Sequence, residues 1–301
     1  MWQDIRFSAR DGTLLYARRY PAPAARRALI CLPGLVGNSA EFHTLAMAIS
    51  GDHAESRQVF AVDYRGRGRS GFSSKRQGPA MLTECEDILD FMTLAGLDDV
   101  ALLGTGHGGQ LTMIAGLLRP HAAGLVIFND SAPEFEIEGV VRLLGEVANM
   151  PLPPTWPDAA AMLKSQHGRR YPKVPNEQWL EIAKGYYPEA NGRPLQPFDP
   201  AIAASYSLSR GTLSRQTLWP QFAAITRAPA LLLRAEFSDM VSAATAARMR
   251  EMHPLLETVQ IPREGHPALL RDAASIAIIA SFLSRNERLE AGARPALLAV
   301  A

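Results

Sequence analysis

The chain has 301 residues, 47% of them apolar and 20% charged, with a formal net charge of +1. These values are ordinary for a globular protein with a full hydrophobic core, and the balanced charge excludes the basic surface of a nucleic-acid-binding or membrane-surface protein. No apolar stretch approaches the roughly 20 residues of a membrane span, and the N-terminus has no signal-peptide pattern. We therefore expect a cytoplasmic protein, with Cys31 and Cys85 as buried free thiols.

The chain alternates between strand and helix patterns through its first half. Alternating apolar residues on both sides of Asp11-Gly12 predict a β-hairpin. Short apolar runs then predict buried strands, at residues 28–32, 59–62, 100–103 and 124–130. Helical spacings separate them, and the alternation returns later, with strands at 230–234 and 258–261 and helices at 243–252 and 273–283. This order predicts βαβ units and a mostly parallel sheet covered by helices on both faces.

Residues 133–221 interrupt this alternation. No strand pattern occurs in them, prolines crowd residues 151–157, and aromatic residues are frequent. We predict a helical cap here, inserted into a core formed by residues 1–132 and 222–290. The tail at 291–301 is alanine-rich and only weakly determined by its sequence.

A strand, a glycine-rich turn and a helix follow one another between residues 100 and 118. The turn, Gly104-Thr105-Gly106-His107-Gly108, fits the G-x-S-x-G nucleophile elbow except at its centre, where Gly106 replaces the serine. Glycine adopts the strained elbow backbone without the cost of about 1–3 kcal/mol that a side chain carries there. The turn is therefore expected to form, but without a nucleophile.

Two loops later in the chain carry side chains of catalytic type. Asp239 follows the strand predicted at 230–234, and His266 follows the strand at 258–261. Because ligand groups collect at the carboxyl ends of strands in an open parallel sheet, we expect both side chains beside Gly106. A histidine can act there as a general base, and a neighbouring carboxylate holds its ring in the required tautomer.

The chain resembles a capped, single-chain bacterial α/β-hydrolase over about residues 5–283. It matches that family, in the family's order of elements, in five segments: Leu32-Pro-Gly-Leu35, Asp63-Tyr-Arg-Gly-Arg-Gly-Arg-Ser70, the elbow frame, Ser238-Asp239 and Gly265-His266. The resemblance implies the α/β-hydrolase fold, a mostly parallel twisted sheet with helices on both faces and a helical cap insertion. It also implies a catalytic site at Gly106, with His266 as general base and Asp239 as its orienting acid. The implied oxyanion-hole donors are the backbone N–H groups of Leu35 and His107.

An apolar and aromatic cap over such a site excludes water and selects a small-molecule substrate with an apolar or aromatic acyl group. We expect side chains on both sides of the pocket to bind it: Val36, Phe42, Trp156 and Trp179. The remaining histidines, and Arg169 and Arg170 in the cap, are interpreted as solvated groups. We expect neither a cofactor nor a metal, and the sequence indicates no oligomeric state.

Gly106 leaves the reaction type open. The leading prediction is a hydrolase acting on a small ester, lactone, amide or C–C bond, whose parent sequence carries a serine at this position. A second interpretation is catalysis without a covalent step, in which His266 activates a water in the space of the missing side chain or takes a proton from the substrate, as in a lyase or cofactor-free oxygenase. The protein would otherwise be a ligand sensor without activity, or the site a structural remnant.

Overall fold

The computed structural model describes residues 1–23, 26–51, 53–72, 81–202 and 217–293. Within these ranges, eight strands form one sheet in the order β1-β2-β4-β3-β5-β6-β9-β10. They are β1 (Gln3–Ser8), β2 (Leu14–Tyr20), β3 (Leu29–Leu32), β4 (Val59–Asp63), β5 (Val100–Thr105), β6 (Ala123–Asn129), β9 (Ala230–Phe237) and β10 (Leu256–Gly265). In this sheet, the neighbouring strands in the run β4-β3-β5-β6-β9-β10 are parallel to one another. Strand β2 pairs antiparallel with both β1 and β4. The predicted sheet and its first hairpin are confirmed, with Gly12 at a φ of 83° in the turn.

Helices cover both faces of this sheet, as predicted. The helices of the described residues are α1 (His43–Ser50), α2 (Met81–Leu94), α3 (His107–Leu118), α4 (Ile137–Ala148), α5 (Trp156–His167), α6 (Gln178–Tyr186), α7 (Trp219–Ala224), α8 (Ala243–Met252) and α9 (Ala273–Ala293). Helices α2, α3, α7 and α8 pack on one face, and α1 and α9 pack on the other.

The central strand β5 shows why this arrangement follows from the sequence. All six of its residues are buried, and successive side chains of a strand point to opposite faces of the sheet. Leu102 lies in the core on the α2–α3 side, whereas Leu103 lies in the core on the α1–α9 side. An apolar run without polar alternation is thus explained by a strand that is covered on both faces. Cys31 on the neighbouring strand and Cys85 on α2 are buried and free, as predicted.

The segment between β6 and β9 carries its own hydrophobic cluster. Helix α5 packs against α6, and the buried residues of this cluster are Ala159, Leu163, Tyr171, Trp179, Ala183 and Tyr187. The segment is not free of strands, because β7 (Glu189–Ala190) and β8 (Arg193–Pro194) form a short hairpin. Its turn, Asn191-Gly192, has positive φ at both positions, which is the backbone that this residue pair favours.

Two boundaries differ from the predicted ones. Helix α7 crosses the predicted end of the cap at residue 221 and packs against α3, where Trp219 and Phe222 join the main core. Helix α9 extends to Ala293, beyond the predicted end of the core at residue 290, and the tail after residue 293 lies outside the described residues. Within the described ranges, none of the helices has both the length and the hydropathy that a membrane crossing requires.

Candidate active site

Gly106 lies at the tip of the turn between β5 and α3. Its φ of 47° and ψ of −108° belong to a region that residues with side chains rarely adopt. Two hydrogen bonds to the end of β6 and the residues after it fix this turn. The Gly106 N–H donates to the carbonyl of Asn129 at 3.0 Å, and the Ser131 hydroxyl donates to the Gly106 carbonyl at 2.6 Å. Gly108 is required by close packing, since a Cβ there would lie 2.3 Å from the Leu32 carbonyl oxygen. The turn therefore has the strand–turn–helix geometry predicted for an elbow, and no side chain stands at its tip.

His266 faces the place that a side chain at position 106 would occupy. A Cβ built on Gly106 would lie 3.2 Å from Cε1 and 3.3 Å from Nε2 of the His266 ring. His266 directly follows β10 and is buried. The structure thus brings together Gly106 and His266, which are distant in the sequence and are both expected at this site.

The carboxylate that holds His266 is Asp130. Its Oδ2 lies 2.8 Å from Nδ1 of His266, and the Asp130 side chain is completely buried. Asp130 also accepts hydrogen bonds from the Ala235 N–H at 3.0 Å and from the Ser238 hydroxyl at 2.7 Å. With Nδ1–H donating to this carboxylate, the ring presents an unprotonated Nε2 towards Gly106. That is the tautomer a general base requires.

The expectation that Asp239 orients His266 is corrected by this geometry. Asp239 binds Arg142 through both carboxylate oxygens: Nη2 donates to Oδ1 at 2.8 Å, and Nε donates to Oδ2. Burial raises the pKa of Asp239, but the hydrogen bonds and charge of Arg142 outweigh it and hold that pKa below its usual range. The loop after β9 directs Asp239 towards α4, whereas β6 lies next to β5 in the sheet and ends beside the elbow. The sequence contained a signal that could have identified Asp130, because this residue is the last one of the strand predicted at 124–130.

The two residues expected to supply the oxyanion hole both line the cavity in front of Gly106. Leu35 lies in the loop after β3, and His107 is the first residue of α3. Within the described residues, neither backbone N–H donates a hydrogen bond to another group. Free N–H groups at a loop and at a helix N-terminus are suited to an anionic oxygen. Their role as oxyanion donors remains a prediction.

A buried ion-pair network connects these two positions. The His107 side chain lies 2.6 Å from Glu84, Glu84 pairs with Arg67, and the Arg67 Nε donates to the Leu35 carbonyl at 2.9 Å. Burial raises the pKa of Glu84, but the charge of Arg67 and the contact with His107 outweigh it and lower that pKa below its usual range. Glu84 is therefore an anion between two partners. Arg67 thus has a structural function, because it links Glu84 to the loop that carries Leu35.

A cavity of 710 Å³ opens in front of Gly106 and His266. Three of the predicted substrate-binding residues line it: Val36, Phe42 and Trp179. Trp156 is not among its lining residues, which corrects that prediction. It begins α5 and packs against the hydrophobic cluster of the segment between β6 and β9, while Leu163, two turns further along the same helix, lines the cavity.

The cavity wall also carries charged side chains, among them Arg170, for which the sequence predicts a solvated position. Arg170 lines the cavity, donates to Glu146 at 2.8 Å and contacts His167. Burial and the charge of Arg170 lower the pKa of His167 to about 4, so its ring is neutral at neutral pH. Arg170 packs on the backbone next to His266, because a Cβ at Gly265 would lie only 2.7 Å from the Arg170 Cβ. The spacing of these residues in the sequence does not reveal this contact.

Among the described residues, no group of three or more His, Cys, Asp or Glu side chains is arranged to hold a metal ion. Within the described part of the chain, the candidate site combines a histidine paired with a buried carboxylate, a glycine at the tip of the turn, two backbone N–H groups that donate no hydrogen bond, and a largely apolar cavity.

Comparisons with known proteins agree with this geometry. The model of the alpha/beta hydrolase family matches residues 29–278. The 3-hydroxybutyrate-oligomer hydrolase of Cupriavidus necator is 28% identical over 274 residues, which cover 87% of this chain and 90% of that protein. The 2-(acetamidomethylene)succinate hydrolase of Mesorhizobium japonicum is 29% identical over 236 residues, covering 77% and 79%.

A solved structure, an alpha/beta hydrolase from Novosphingobium aromaticivorans, superimposes with a TM-score of 0.86 at 33% identity, covering 94% of this chain and 98% of that one. The named hydrolases among these relatives support the prediction that this protein is a hydrolase enzyme. With the family model matching most of its length, the chain belongs to the alpha/beta hydrolase family.

Proposed function

We propose that this protein hydrolyses an ester or amide bond of a small carboxylic acid by direct attack of a water molecule, with His266 as the general base. The observation that carries this proposal is the space at Gly106. A Cβ at that position would lie 3.2–3.3 Å from the His266 ring, so the missing hydroxymethyl group leaves room for a water that hydrogen-bonds Nε2. Such a site is polar, and one water is the right size for it.

The chemical step follows from this placement. Nε2 of His266 takes a proton from the water while its oxygen forms a bond to the substrate's carbonyl carbon, and the carbonyl π electrons move to oxygen. Asp130 stabilises the imidazolium that forms. When the tetrahedral intermediate collapses, the bond to the alcohol or amine breaks and His266 returns the proton to that leaving group. General-base catalysis of this kind contributes about 10²–10⁴-fold.

The backbone N–H groups of Leu35 and His107 act on the other side of the reacting carbonyl. They would stabilise, by hydrogen bonding, the negative charge that develops on the carbonyl oxygen, and one such donor contributes about 10²–10³-fold to kcat. The ion-pair network through Arg67 and Glu84 holds both residues in place. Helices α4, α5 and α6 each contribute residues to the cavity wall, which supports a role of the segment 133–221 as the cap of this site.

The substrate class follows from the cavity and from the relatives. A volume of 710 Å³ is within the range of small-molecule sites. Two relatives are a 3-hydroxybutyrate-oligomer hydrolase and a 2-(acetamidomethylene)succinate hydrolase. Oligomers of a hydroxy acid are joined by ester bonds, and an acetamido group contains an amide bond, so both names denote small carboxylic acids with a hydrolysable acyl bond. We place this protein in the same class, with the ester of a short hydroxy acid as the substrate to test first.

The test is hydrolysis of a panel of short esters and acetamides, followed by NMR, for the unaltered chain and for His266→Gln. We expect turnover that His266→Gln abolishes and that phenylmethylsulfonyl fluoride, which reacts with serine nucleophiles, leaves unchanged. Pre-steady-state kinetics with substrate in excess should show no burst of the released alcohol or amine, because no acyl-enzyme forms. Turnover retained by His266→Gln would refute the role of this base, and binding of panel members without any turnover would identify a sensor instead.

A further inference from the structure

A carboxyl group faces the cavity at a position that the proposed reaction does not use. Glu41 lies in the 3₁₀ helix Ser39–Phe42, directly after the loop that carries Leu35, and it lines the cavity. In the described part of the chain, no lysine or arginine side chain pairs with it. Its neighbours in the wall, Val36 and Phe42, are apolar.

The fold seats this carboxyl group in a defined place. A Cβ at Gly37 would lie 2.6 Å from Glu41 Oε2 and 2.8 Å from Oε1, so the glycine makes room for the acid. Asn38 caps the 3₁₀ helix by accepting from the Ala40 N–H, and its Nδ2 donates to the Tyr186 carbonyl at 2.8 Å. This bond fixes Tyr186, the last residue of α6, against the start of the 3₁₀ helix that carries Glu41. Glu41 is held between the sheet side and the cap segment.

The electrostatic surroundings of Glu41 favour its neutral form. Burial raises its pKa to about 8, the backbone N–H of Asn38 opposes this rise, and the nearby Asp63 adds to it. At neutral pH the group is a carboxylic acid, which can donate one hydrogen bond and accept another. A neutral acid in an apolar wall suits a neutral polar group, whereas a cation would require the ionised form.

We propose that Glu41 is a specificity residue that binds a neutral hydroxyl group on the acyl part of the substrate. A hydroxyl group donates one hydrogen bond and accepts another, which complements a carboxylic acid in the same small space. This inference rests on the proposed function, since it names how the same cavity selects the ester of a hydroxy acid. The sequence motif Asn38-x-x-Glu41 predicts only a helix start, and that structural role makes no distinction between substrates.

The experiment measures binding in a protein that does not turn over. In the His266→Gln background, ligand-detected NMR titrations compare methyl 3-hydroxybutanoate with methyl 3-methylbutanoate, in which a methyl group replaces the hydroxyl. We expect the hydroxy ester to bind about tenfold more tightly, the factor that one net hydrogen bond contributes. Glu41→Gln keeps a donor, an acceptor and the helix start, so it should keep the preference. Glu41→Leu should abolish it and leave the affinity for the methyl analogue unchanged within about twofold.

Two results would overturn the proposal. One is a preference for the hydroxy ester that survives in Glu41→Leu. The other is a stronger preference for methyl 3-aminobutanoate, whose ammonium group would show that Glu41 is ionised and selects cations. Because the comparison uses binding alone, it is separate from the test of catalysis. Turnover without a hydroxyl preference refutes only this inference, and a hydroxyl preference without turnover refutes only the proposed function.

Discussion

Replacing Gly106 with serine adds a hydroxyl group at the tip of the predicted elbow, and the structure defines what that serine would contact. The new Cβ would lie 3.2 Å from Cε1 and 3.3 Å from Nε2 of His266. An oxygen one bond further out can reach hydrogen-bonding distance of Nε2, provided that the ring moves by a few tenths of an ångström. The backbone φ of 47° at this position is unfavourable for a side chain, by about 1–3 kcal/mol.

We therefore expect opposite effects of Gly106→Ser on stability and on esterase activity. The free energy of unfolding, measured by urea denaturation, should fall by about 1–3 kcal/mol because of the backbone strain. The kcat for p-nitrophenyl butyrate should rise by at least about 10³-fold, since removal of the serine from a complete triad costs about 10⁶-fold. The variant should also become sensitive to phenylmethylsulfonyl fluoride and show a burst of one equivalent of nitrophenol.

Gly106→Ala is the matched control. Alanine adds the same Cβ and the same strain without a hydroxyl group, so it should lose as much stability as the serine variant and gain no activity. If Gly106→Ser is no faster than Gly106→Ala on the nitrophenyl ester, then His266, Asp130 and the backbone donors are not arranged as a hydrolytic site. That result would refute the argument from which the proposed function starts.

Three further predictions concern the residues around the site and the core. Asp130→Asn should lower kcat for the ester substrate by about 10²–10⁴-fold, the contribution of a general base, because His266 loses the carboxylate that holds its tautomer, whereas Asp239→Asn should lower it less than tenfold. Arg67→Met leaves Glu84 buried without its cation, so the free energy of unfolding in urea should fall by about 3–5 kcal/mol, and the additional change Glu84→Leu should recover most of that loss. His253 is fully buried, and neither ring nitrogen has a hydrogen-bond partner among the described residues. Burial lowers the pKa of His253 below its ordinary value of 6.5, so the unfolded chain takes up the proton first and stability should decline as the pH falls below that value. His253→Phe should flatten this part of the curve of unfolding free energy against pH.

Each of these predictions has an outcome that contradicts it. Equal losses of kcat in Asp130→Asn and Asp239→Asn would mean that the hydrogen bond between Asp130 and His266 does not decide which acid supports His266 during turnover. A double variant of Arg67 and Glu84 that is no more stable than Arg67→Met would show that the unpaired carboxylate is not the cause of the loss. An unchanged pH dependence in His253→Phe would assign the acid-sensitive step to other groups.

Much of this molecule could be predicted from local patterns in the sequence. The apolar runs predicted the strands because a strand covered on both faces has no polar alternation, and β5 shows this directly. The glycines of the elbow predicted the turn, since positive φ and close backbone contact each exclude a side chain. His266 could be placed at Gly106 because loops at the carboxyl ends of parallel strands converge. These features depend on neighbours along the chain or on general rules of sheet topology.

What only the tertiary structure decided are the pairings between distant side chains. Asp130 and Asp239 both follow strands at the same edge of the sheet. Which of them contacts His266 depends on Arg142 of α4, which binds Asp239 through both carboxylate oxygens. His253, expected at the surface, is buried because α7 packs beside it. Sequence patterns predict which edge of a sheet a side chain reaches. Its partner is decided by competition among charges and packing contacts that form only when the whole chain is folded.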